Sequence, residues 1–110
     1  YGFDIKGFAE PLQFLRYKKG GRYDGHMDIQ WSDLKTNVPN RKLTVITQLS
    51  DPKDYEGGDL ELDITSDNFT IPKGKGDMIA FPAFLMHKVH PITKGTRCSV
   101  VSWLSGDSWR

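Results

Sequence analysis

Asp59-Leu60-Glu61-Leu62-Asp63-Ile64 alternates strictly between acidic and apolar side chains. A repeat of two places one set on each face of an extended segment, so this stretch reads as a half-buried β-strand with an acidic outer face. Working outward, the neighbouring patterned stretches have the same character. Lys42–Leu49 is dense in β-branched residues and reads as a central strand. Leu12–Tyr17 is short and aromatic, and Lys18-Lys19-Gly20-Gly21 closes it as a turn. Arg22–Ile29, Asn68–Ile71, Asp77–Phe81, Phe84–His90 and Arg97–Leu104 complete the set of expected strands, with Gly or Pro between them. Residues 91–96 read as a turn that would pair the strands on either side of it antiparallel. Residues 51–58 read as a loop of turn formers, and the polar stretch Trp31–Asn40, with Pro39, as a surface loop over a site. Residues 1–11 read as a linker or edge strand. No window carries a sustained helical period, so the expected class is all-β: a sandwich, jelly roll or barrel.

At 110 residues the chain is expected to form one domain, 1–110, large enough to bury a modest core. It opens at Tyr1 and enters a strand-like run almost at once, which reads as a trimmed domain lacking N-terminal helices and a first strand. Fifteen basic residues against fourteen acidic ones give a net charge of +1, with no basic run longer than Lys18-Lys19. That balance argues against a nucleic-acid partner. Cys98 is the only cysteine, so no internal disulfide is possible, which fits a reducing compartment. The apolar runs are too short for a transmembrane helix or a secretory signal, and the expectation is a soluble, cytoplasmic protein without a membrane partner.

The first chemical signal lies in Tyr23-Asp24-Gly25-His26-Met27-Asp28. His26 and Asp28 are two apart, so on an extended segment both side chains leave the same face. Alone, such a pair reads as polar residues at an exposed strand end. The run Ala83 to Pro91 adds a histidine inside an apolar strand, a feature that by itself is more often a satisfied core residue than a ligand. Two histidines and one carboxylate on one face of a metal, with the other positions open, form the arrangement of non-haem Fe(II) oxygenases. His87 and His90 compete for the third place. Their odd separation puts them on opposite faces; His87 sits within the apolar run, whereas His90 precedes Pro91, where the strand is ending. His87 is therefore the expected ligand and His90 a rim residue. Arg97, just past the expected turn, offers a rigid fork that pairs a carboxylate bidentately. Its bland reading is a rim charge, which would be preferred were His87 absent.

On these residues the sequence resembles the catalytic core of the Fe(II)/2-oxoglutarate-dependent dioxygenases, specifically the prolyl 4-hydroxylase-like group that includes the bacterial PKHD-type hydroxylases. The matching stretches are Tyr23–Asp28, Arg41–Ser50, Tyr55–Leu60, Gly76–Pro82 and Leu85–Trp103. In this family the distal iron-binding histidine is followed ten residues later by the basic residue that binds the 2-oxoglutarate C5 carboxylate. His87 to Arg97 has that spacing and His90 does not. The resemblance implies iron ligation by His26, Asp28 and His87, and anchoring of the co-substrate by Arg97. It also implies that Tyr17 lines the 2-oxoglutarate pocket, that Gln48 offers one hydrogen bond where some relatives carry a tyrosine, and that Trp103 is an aromatic wall of that pocket. The implied fold is a double-stranded β-helix, a jelly roll, with a short or missing N-terminal helical part.

The implied cofactors are Fe(II) and the co-substrate 2-oxoglutarate, with ascorbate as an accessory. The implied reaction is oxidative decarboxylation of 2-oxoglutarate to succinate, coupled to hydroxylation of a prolyl residue in a peptide or protein. A free amino acid or other small molecule is the second substrate class. From a different class, a cupin-like metal-binding module without catalysis would share the histidines but would have no use for Arg97.

Overall fold

The computed structural model describes residues 5, 7–8, 11–29, 40–63, 69–71 and 73–106. In chain order its strands are β1 (Gly7–Phe8), β2 (Gln13–Tyr17), β3 (Tyr23–His26), β4 (Asn40–Gln48), β5 (Tyr55–Gly57), β6 (Leu60–Leu62), β7 (Phe69–Thr70), β8 (Met78–Pro82), β9 (His87–Val89), β10 (Ile92–Gly95) and β11 (Arg97–Gly106). Among the described residues the one helical element is a 3-10 turn, Pro52–Asp54, capped by the Asp51 side chain. None of them forms a helix long and apolar enough to cross a membrane.

Period-two burial along β11 and β4 sets the architecture. β11 turns Arg97, Ser99, Val101, Trp103 and Ser105 inward, and β4 does the same with Lys42, Thr44, Ile46 and Gln48. The two strands pair antiparallel, with Ser99 opposite Gln48, Val101 opposite Ile46 and Trp103 opposite Thr44. β8 adds to the far edge of β4, while β1 and β2 share the other edge of β11 at its opposite ends. A second antiparallel sheet runs β3-β9-β6-β7, and β5 and β10 form a separate pair. Ile46, Phe81, Val101 and Trp103 from the larger sheet meet Leu60, Leu62 and Val89 from the smaller one, with Ile71 beside them. Each such buried apolar side chain contributes about 1.5–3 kcal/mol relative to exposure. Two antiparallel sheets facing across one apolar core make the expected jelly roll.

The strand at Asp59–Ile64 is present as β6, with Leu60 and Leu62 buried and Glu61 facing outward to Lys88 and His90. Three local expectations differ from the structure. Residues 91–96 are not a hairpin turn, because they contain β10, and the strands around them part company: β9 joins the smaller sheet and β11 the larger. β10 instead pairs with β5, inside the stretch read as a loop of turn formers. The pairing is possible because Gly57 and Gly95, both at positive φ, let the two backbones approach where a Cβ would meet backbone atoms at 2.4 and 2.1 Å. The third difference is that β9 starts only at His87, since Phe84 and Leu85 lie in a turn closed by Leu85 N–H donating to the Pro82 carbonyl at 3.0 Å. The loop expected at Trp31–Asn40 lies outside the described residues, apart from Asn40 at the start of β4.

Candidate active site

His26 ends β3, and His87 begins β9 directly opposite it, so the antiparallel ladder alone brings the two imidazoles together. Their ring centroids are 4.2 Å apart. Asp28 is not on the strand as expected. The chain bends after β3, and the Asp28 N–H donates to the Ala83 carbonyl at 2.9 Å, which turns the carboxylate back toward both histidines. Its Oδ1 lies 3.3 Å from His26 Nε2 and its Oδ2 3.5 Å from His87 Nε2. One ligand atom from each of the three residues falls within 4.8 Å of the others.

The tautomer of both rings is fixed by backbone carbonyls. His26 Nδ1 lies 2.8 Å from the Asp24 oxygen, and His87 Nδ1 lies 2.9 Å from the Leu85 oxygen. A carbonyl only accepts, so each Nδ1 carries the proton and donates it, leaving the Nε2 lone pair free on the inner side. Burial holds the His87 pKa below its ordinary value, outweighing the Leu85 carbonyl and the Asp28 charge that favour the cation; His26 nearby adds to the lowering. A neutral imidazole is the form that binds a metal.

Asp28 is 7 % exposed, and its Oδ2 accepts from Thr44 Oγ1 at 2.7 Å and from the Trp103 indole N–H at 3.2 Å. Both donors face inward at opposite positions of the β4–β11 ladder. Arg41 lies over the Trp103 ring at 3.8 Å and donates to the Asp28 backbone oxygen at 3.3 Å. Trp103, expected as a wall of the co-substrate pocket, also steadies the carboxylate through its indole N–H. Thr44 escaped the sequence reading, although its inward parity with Gln48, four residues along β4, was a usable signal.

The other inward end of the ladder is where Arg97 lies. It is 1 % exposed, and its Nε and Nη2 have no hydrogen-bond partner. The Tyr17 ring, opposite in register, sits 5.3 Å from the guanidinium. Burial raises the Tyr17 pKa and keeps the phenol neutral, with the Arg97 charge offsetting part of the rise. Gln48 Oε1 and Ser99 Oγ, from facing positions of β4 and β11, are also buried and unpartnered, as is the Tyr55 hydroxyl. A buried guanidinium with two unused donors is costly unless an anion completes it. His90 stands apart on the outer face, its Nε2 2.7 Å from Glu61 Oε2.

The model of the 2OG-Fe(II) oxygenase superfamily matches residues 12–105. The chain belongs to this superfamily. A PKHD-type hydroxylase from Janthinobacterium sp. (strain Marseille) is 35% identical to this oxygenase-family chain over 100 residues, covering 86% of the chain and 42% of the relative. The chain thus spans less than half the length of that relative. Among solved structures, a Pseudomonas putida prolyl-4-hydroxylase shares its fold with a TM-score of 0.72 and 21% identity, over 86% of this chain and 51% of that one. A Trichoplax adhaerens prolyl hydroxylase, solved with a peptide fragment of the hypoxia inducible factor, does so with a TM-score of 0.75 and 22% identity, over 94% and 46%. Fe(II) and 2-oxoglutarate are the superfamily's metal and co-substrate. Two imidazoles and a carboxylate without thiolate suit that metal, and the unpartnered Arg97 fork suits that acid.

Proposed function

We propose that residues 1–110 form a single catalytic domain of a 2-oxoglutarate- and O2-dependent hydroxylase acting on a prolyl residue in a peptide or protein. The observation that carries this reading is the pairing of the two ends of one interior. His26, Asp28 and His87 converge at one end, and the buried Arg97, its Nε and Nη2 without partners, stands at the other. A passive metal binder has use for the first end only.

In this reading His26 Nε2, Asp28 and His87 Nε2 hold the iron. Arg97 binds the distal carboxylate of 2-oxoglutarate, and Tyr17 shields it from water. Bound together, metal and co-substrate supply the oxidative decarboxylation to succinate that drives insertion of one oxygen atom into a substrate C–H bond. The protein's part is to turn both Nε2 atoms inward, hold the Asp28 carboxylate still and keep water away from Arg97. A peptide is favoured as substrate by the peptide-bound neighbour and by an open groove of about 410 Å³ along Arg22–Gly25 and Lys88–Pro91. Tyr23 borders this groove, with its ring 3.9 Å from that of His26. The lone Cys98 fits a cytoplasmic setting.

The test is succinate release from 2-oxoglutarate with Fe(II) and a panel of proline-containing peptides, run beside free amino acids. His26→Ala, Asp28→Ala and His87→Ala should each abolish Fe(II)-dependent turnover, whereas His90→Ala should keep most of it. Arg97→Ala should raise the apparent KM for 2-oxoglutarate roughly tenfold or more, from the loss of about 1.5–3 kcal/mol of charge-assisted hydrogen bonding. An Arg97→Ala protein that handles 2-oxoglutarate like the parent would sink the anchor and leave a metal-binding module.

A further inference from the structure

Tyr55 is 5 % exposed, yet its hydroxyl has no hydrogen-bond partner. It lies at the start of β5, in a stretch whose sequence suggests only turns. The β5–β10 pairing sets Tyr55 opposite Gly95, two residues before Arg97. Gly58 follows at φ +67°, and a Cβ placed there would stand 3.3 Å from Arg97 Cδ and 3.5 Å from Tyr55 Cε2. The Arg97 stem and the Tyr55 ring therefore flank the same backbone point, and the absent side chain at residue 58 gives them room. Outside, the Lys73 ammonium lies 5.4 Å from the Tyr55 ring centre and donates to the Gly57 carbonyl at 3.0 Å, tying β5 down over the phenol.

A buried phenol rarely goes without a partner, and here it lacks one beside a buried guanidinium that also has unused donors. We infer that Tyr55 is a co-substrate-binding residue, its hydroxyl donating to the distal carboxylate of the 2-oxo acid that Arg97 holds. Ser99 Oγ, likewise buried and unpartnered and two residues along the inner row of β11 from Arg97, is a further donor for that carboxylate. Three donors converging on one carboxylate make the site selective for 2-oxo acids that carry a second acid group. This inference rests on the hydroxylase reading and names a residue that reading did not use.

The experiment compares 2-oxoglutarate with 2-oxobutyrate, which lacks the distal carboxylate, by calorimetric titration of the Fe(II)-loaded protein without oxygen. The parent should prefer 2-oxoglutarate. Tyr55→Phe, which removes only the hydroxyl, should weaken 2-oxoglutarate about tenfold or more. It should leave 2-oxobutyrate and Fe(II) affinity as they were, a pattern that general loss of structure does not produce. Tyr55→Phe with the parent's preference intact overturns the role of Tyr55 while the hydroxylase reading stands. A parent that binds neither acid overturns that reading itself.

Discussion

The two oxygens of Asp28 have different surroundings, and the difference is chemical. Oδ2 takes two donors, Thr44 and Trp103, while Oδ1 faces His26. Removing the Thr44 hydroxyl as Thr44→Val therefore frees the carboxylate to rotate without removing a ligand. Metal affinity should fall roughly 10- to 100-fold, the usual cost of losing a hydrogen bond behind a ligand. Competition titration with Fe(II) checks it, with circular dichroism to confirm the fold. His87 makes a second claim testable in the metal-free protein. Burial holds its pKa below the ordinary 6.5, so between that value and its folded pKa the unfolded chain binds the extra proton and the folded one does not. The stability tied to the neutral imidazole is thus present above about pH 6.5 and lost as pH falls through that window. Urea midpoints measured on the metal-free protein should drop on acidification, and His87→Gln should flatten that drop.

Strands were legible where a period of two extended over several residues, as in β4, β6 and β11. The same parity argument separated His87 from His90, which the structure leaves outside with Glu61. β5 and β10 were not legible, because neither has a pattern of its own. They are only three and four residues long, each ends in glycine, and only the partner strand makes them extended. Tyr55 was missed for the same reason: its importance comes from Arg97, forty-two positions away in sequence, and no local signal marks it. The bend that carries Asp28 was equally hidden, since the hydrogen bond that makes it runs from its own N–H to the distant Ala83 carbonyl. The β5–β10 pair rests on Gly95, at φ +77°, where a Cβ would lie 2.1 Å from the Asp54 oxygen. Gly95→Ala should destabilise the fold by more than about 1 kcal/mol, through both the clash and the left-handed backbone. It should also weaken 2-oxoglutarate binding more than metal binding. Urea denaturation and calorimetry give the two readings.

The His26–Asp28–His87 cluster, the proposed metal site, joins the two sheets. The imidazoles come from β3 and β9 of the smaller sheet, whereas the donors that fix Asp28 come from β4 and β11 of the larger. An ion held by all three residues bridges the layers and should raise global stability by about 2.7 kcal/mol at a hundredfold excess over its Kd. For a chain of roughly this size each kcal/mol moves Tm by about 4–8 °C. Thermal melts with Fe(II) and after chelation should differ accordingly, and Asp28→Ala should show no such difference. The inner row of β11, with Arg97 at one end and Trp103 at the other, has a further consequence. Both residues face inward because six positions separate them, an even count. Inserting or deleting one residue between them would throw one end out of phase and turn it to solvent. A two-residue change restores the phase but shifts the ends by about 7 Å. The interval between the proposed acid anchor and the proposed metal seat is therefore quantised, and β11 accepts new side chains at its outward positions far more readily than a change of length.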